Sequence, residues 1–72
     1  MFMFEAQPTD ATIRLTGRGA SLFLADGVFR KRVLGAAAQL STPEREVVRI
    51  EANGHELALW HPGEGLFLRG GE

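Results

Sequence analysis

The chain has no cysteine and no tyrosine, one lysine, one tryptophan and no long apolar run. Without thiols it can form neither a disulfide nor a thiolate-zinc staple. Its 72 residues bury only about 60% of the surface an unfolded chain exposes, so stability must come from packing, from a partner, or from both. No stretch approaches the ~20 apolar residues needed to cross a bilayer. Residues 1–4 are apolar but too few for a signal-peptide core, and Glu5 follows at once. The expectation is a soluble, cytoplasmic protein with no membrane partner.

A strong charge of either sign is also lacking. The formal net charge of −1 gives no global field to draw in nucleic acid. The distribution is less even: residues 11–40 carry five basic groups against Asp26, net +4, and residues 41–72 carry three against six, net −3. With 44% apolar and 24% charged residues, the composition is that of a folded globule and not of a disordered chain. The size fits one small α+β domain over residues 1–72, with residues 1–10 a strand-forming or flexible N-terminal segment.

Residues 1–6 read as a short strand or a loose tail, and residues 7–10 as a turn or linker. Residues 11–16 (ATIRLT) place Ile13 and Leu15 on one side and Thr12, Arg14 and Thr16 on the other, the pattern of a half-buried strand. Gly17-Arg18-Gly19 breaks it. Residues 21–25 (SLFLA) fit either a strand or the first turns of a helix. Asp26 is a good helix N-cap, because its carboxylate can accept from the free amides of the first turn. Beyond it, Phe29, Val33, Ala36, Ala37 and Leu40 share one helical face, and Ser41-Thr42-Pro43 ends the helix. Gly35 weakens that helix by about 1 kcal/mol relative to alanine.

Residues 46–52 (EVVRIEA) and 55–61 (HELALWH) flank Asn53-Gly54, the pair that most favours a two-residue type I′ hairpin. Residues 62–65 (PGEG) turn the chain again into residues 66–69 (LFLR). The predicted architecture is one helix packed on an antiparallel sheet, with a C-terminal three-stranded meander.

Counting outward from Asn53-Gly54 pairs Ile50 with Leu57 and Val48 with Leu59, and the second turn then sets Trp60 opposite Phe67. One face collects Val48, Ile50, Leu57, Leu59, Leu66 and Leu68, the expected seat of the helix. The other collects Val47, Arg49, Trp60, Phe67 and Arg69. Tryptophan, other aromatics and arginine are enriched where proteins bind one another, so these five are the candidate partner-binding residues. The partner would be another protein or a second copy of the chain.

The competing reading is nucleic-acid binding through Arg14, Arg18, Arg30, Lys31 and Arg32, although three consecutive basic residues point around a helix and not to one side. His55 and His61, the only histidines, come out about 20 Å apart along one strand and cannot share a metal ion. Glu46 opposite His61 lacks a third catalytic group. Ser21 and Ser41 have no nucleophile-elbow context, and Gly17-Arg18-Gly19 lacks the spacing of a phosphate-binding loop. No catalytic residue, metal site or cofactor is expected.

Residues 40–48 (LSTPEREVV), running on to Asn53-Gly54, resemble the opening helix of LuxR-type helix-turn-helix DNA-binding domains. Thr42 would be the N-cap, Pro43 the first helical residue and Gly54 the stop. The resemblance covers about 15 residues and implies a helix over 43–52. Residues 55–70 (HELALWHPGEGLFLRG) depart from the family, with a Pro-Gly turn where the recognition helix should run. Val47, Val48 and Ile50 are β-branched and favour a strand.

Overall fold

A computed structural model describes residues 4–7 and 10–69; the expectations for residues 1–3, 8 and 9 lie outside the described residues. Five strands and two helices follow one another as β1 (Phe4–Gln7), β2 (Thr12–Leu15), α1 (Gly19–Ala25), α2 (Gly27–Leu40), β3 (Val48–Ala52), β4 (His55–His61) and β5 (Gly65–Leu68). The strands lie side by side in chain order in one sheet. The α+β class therefore holds, with two corrections: among the described residues there are two helices, and the sheet is mixed. β2 and β3 run parallel, and every other neighbouring pair is antiparallel. The parallel step follows from the crossover, since the two helices return the chain to the end where β2 began.

The second helix resolves the ambiguity at residues 21–25. Gly17, at φ 56°, turns the chain out of β2, and the Gly19 N–H donates to the Thr16 carbonyl at 2.7 Å. Phe23 then points from α1 into the core and is fully buried. Asp26 is the whole joint between the helices. Its N–H donates to the Leu22 carbonyl at 2.7 Å to close α1. Its carboxylate accepts from the Val28 and Phe29 amides at 2.9 and 3.2 Å to open α2, as expected of an N-cap. Arg30 folds back onto α1. Its guanidinium donates to the carbonyls of Phe23 and Leu24 at 2.9 and 3.0 Å, covering the end of α1.

Phe29, Val33 and Ala37 are buried, with Ala36 and Leu40 packed beside them. Their sheet counterparts are Ile13 and Leu15 from β2, Val48, Ile50 and Ala52 from β3, and Ala58 from β4. Phe4 of β1 meets Phe29 edge to face, with ring centroids 6.0 Å apart. Both helices thus cover one face of the sheet. Residues 42–45 form no helix. Thr42 and Arg45 bond to each other around Pro43-Glu44, and β3 begins at Val48. The helix implied by the LuxR-type resemblance is not formed.

The hairpin turn is as expected: Asn53 and Gly54 both have positive φ, 54° and 78°, as a type I′ turn requires. Ala52 pairs with His55 and Glu51 with Glu56. There the count slips. Ile50 pairs with Ala58, so Leu57 is an extra residue in β4, a β-bulge, and Val48 pairs with Trp60. The second turn also differs by one: His61 pairs with Gly65, Trp60 with Leu66 and Leu59 with Phe67. A one-residue slip moves every later side chain to the other face. Trp60 and Leu66 pack against the core on the helix side, and Leu59 and Phe67 share the opposite side.

Candidate interaction surface

The helix-free face of the sheet is assembled from alternate residues of β2 to β5 and their flanks: Arg14, Arg49, Glu51, Glu56, Leu59, His61, Phe67 and Arg69. Of the five predicted contact residues, the structure brings together Arg49, Phe67 and Arg69 on this face. Val47, exposed just before β3, continues the same alternation. Trp60 is separated from them and lies on the helix side. Sequence reasoning missed Leu59 and His61. No signal could have found them, because Leu57, Ala58, Leu59 and Trp60 are all apolar and either parity gives a plausible core.

At the β5 edge of the face Phe67 is 50% exposed. His61 stands edge-on against it, with ring centroids 4.8 Å apart. The surrounding charges are matched laterally. Glu51 lies between Arg14 at 3.3 Å and Arg49 at 3.5 Å. Arg69 lies 3.4 Å from Glu56, and Asp10 is 3.8 Å from Arg14. Arg49 also donates to the buried hydroxyl of Thr12 at 3.2 Å. These partners explain how the like-charged pair Glu51–Glu56 is tolerated in the hairpin: each carboxylate has its own arginine. Arg49 is thereby held toward β2.

The alternative basic set is dispersed. Arg14 is engaged on the helix-free face, and Arg30 caps α1. Lys31 and Arg32 are exposed on α2, and Arg18 is exposed before α1. Lys31 and Arg30 border a shallow hollow lined also by Gly27, Val28 and Leu34. The bulge places His55 and His61 on opposite faces. Glu46 lies outside β3, where its carbonyl accepts from the Ser41 hydroxyl at 3.2 Å. Among the described residues no three His, Asp or Glu side chains cluster as metal ligands, and no helix is long and apolar enough to cross a membrane.

Comparison with protein-family models, with curated proteins and with solved structures finds no match to this chain.

Proposed function

We propose that this is a non-enzymatic protein that acts by protein–protein contact, as an adaptor, inhibitor or subunit. Its contact surface is the helix-free face of the C-terminal meander: Val47, Arg49, Leu59, Phe67 and Arg69. The observation that carries this reading is Phe67, half exposed on β5 beside Leu59, on a face whose charges are already paired with one another. An exposed aromatic side chain with arginines beside it is the composition enriched where proteins bind one another. Covering this patch would leave no uncompensated charge, since each arginine brings its carboxylate partner with it; an unpaired buried charge is what makes such burial costly. Nucleic-acid binding gains no comparable support, because its five basic residues are spread over both layers.

The test is affinity capture with the parent chain, Leu59→Glu and Val28→Glu. Leu59→Glu places a charge in the centre of the face, and Val28→Glu places one on the helix layer. The reading expects the same specific partner on the parent and on Val28→Glu, and its loss from Leu59→Glu, with circular dichroism unchanged in all three. Equal capture by Leu59→Glu overturns it.

A further inference from the structure

The edge of the sheet at β5 differs from the face beside it and can be read from backbone hydrogen bonding. The Arg69 N–H donates to the Leu57 carbonyl at 2.8 Å. Antiparallel ladders alternate between bonded and non-bonded pairs. Residues 65, 67 and 69 therefore turn their N–H and C=O groups toward β4, while Leu66 and Leu68 turn theirs outward. β5 is the last strand of the sheet, and among the described residues nothing pairs with that outer edge. Natural sheets guard such edges with charge, proline or a bulge. Residues 65–68 (GLFL) have none of these, and Leu68 is 58% exposed although its side chain lies on the helix side.

We infer that β5 pairs antiparallel with β5 of a second copy, joining two five-stranded sheets into one across a twofold axis. This goes beyond the reading of the face and rests on different atoms, the outward backbone groups of Leu66 and Leu68. Geometry limits the register, and the number of hydrogen bonds within residues 65–68 selects one. A twofold perpendicular to the sheet keeps each face on its own side, so only residues of like parity can oppose. Bonded pairs must use the outward groups. Leu66 against Leu66, or Leu68 against Leu68, meets both conditions but makes only two hydrogen bonds within residues 65–68; Leu66 against Leu68 of the second copy, and Leu68 against its Leu66, makes four.

That register is chemically self-complementary. Phe67 meets its own counterpart on the open face, and leucines meet leucines on the helix side beside Trp60. Arg69 falls opposite Gly65 of the second copy and next to its Glu64, so opposite charges meet at both ends of the joint and no like charges oppose. Pairing β5 with β1 of another copy would instead be head-to-tail and would propagate into filaments.

The absence of cysteine makes the test clean. In light scattering against concentration, the parent mass rises from 7.9 kDa to twice that value and stops. A mass that stays at one chain, or climbs past two, overturns the inference. Leu68→Pro removes an outward N–H and spares the ladder to β4; it holds the mass at one chain with unchanged circular dichroism. If the proline disturbs the fold, Leu68→Lys, which leaves the backbone intact, must give the monomer in its place. Dimerisation of the folded variant at parental strength counts against the edge.

Register is read by single cysteines. Phe67→Cys sits about 4.5 Å, Cα to Cα, from its twin in a non-bonded pair, within disulfide reach. It cross-links under mild oxidation and Leu68→Cys does not; the reverse result overturns the register. Amide exchange at Leu66 and Leu68 slows on dimerisation, which stacking through the face would not cause. The two readings fail separately, since Leu59→Glu alters the face alone and Leu68→Pro the edge alone.

Discussion

The two ends of the sheet are built from the same strand-forming residues and yet are finished differently. Between β1 and β3 the sheet is sealed: Ile13, Val48 and Ile50 lie wholly beneath Phe23 and Val33. Toward β5 the helix layer runs out. Trp60 and Leu66 are only partly covered, and Leu68 stands exposed on the side where the core should be. The difference follows from topology. The helices connect β2 to β3 and therefore lie over that crossover, while the meander extends two strands beyond it. One end supplies the stability, and the other is left partly uncovered.

The contrast can be broken most forcefully at the sealed end. Phe23→Ala empties a fully buried site and should cost about 3–5 kcal/mol, read as a large fall in the urea midpoint. Arg30→Met keeps most of the side-chain volume but strips two carbonyls at the end of α1. A loss of about 1.5 kcal/mol is expected, the lower end for hydrogen bonds with a charged partner. The same substitution asks whether Arg30 is a structural group or a binding one. Gly35→Ala works in the other direction. A methyl group there meets nothing within 4 Å, so the variant should gain about 1 kcal/mol from helix propensity, seen as a higher melting temperature. At the open end Leu68→Ser should change stability by less than about 0.5 kcal/mol in dilute solution. A leucine that proves as costly there as Phe23 would erase the distinction between the ends.

Much of this organisation was legible in the residues. Asn53-Gly54 specified its turn because only such a pair accepts two successive positive φ angles cheaply. Asp26 marked the start of α2 because a short carboxylate caps free amides, and the Phe29–Val33–Ala37 stripe marked its buried face. The features that escaped prediction have physical causes. Residues 19–25 make only two turns of helix, too short for a helical period to stand out from a strand's. The parallel pairing of β2 and β3 depends on that helix and was lost with it. The bulge at Leu57 carries no glycine or proline to announce it. An alternating pattern would have excluded the wrong register, but β4 does not alternate, so Leu59 and Trp60 were assigned to each other's faces. Of the candidate contact residues, Arg49, Phe67 and Arg69 fall together on one face and Trp60 does not.

The extra residue in β4 has a consequence for insertions and deletions. In a regular strand, losing one residue acts on side chains as a frameshift acts on codons: everything downstream is read on the other face. Leu57 is the one place in β4 where length and reading frame are uncoupled. Deleting it brings Ala58 directly after Glu56 and converts the bulge into a plain ladder. Ile50 still faces Ala58, and Val48 still faces Trp60. Deleting Leu59 as well removes a residue that no bulge is left to absorb and turns Trp60 out into solvent. The only tryptophan in the chain reports which has happened: its emission should stay near the parent's in the first deletion and shift to the red in the second. The first loss would leave the protein in frame, and the second, of equal size, would put it out.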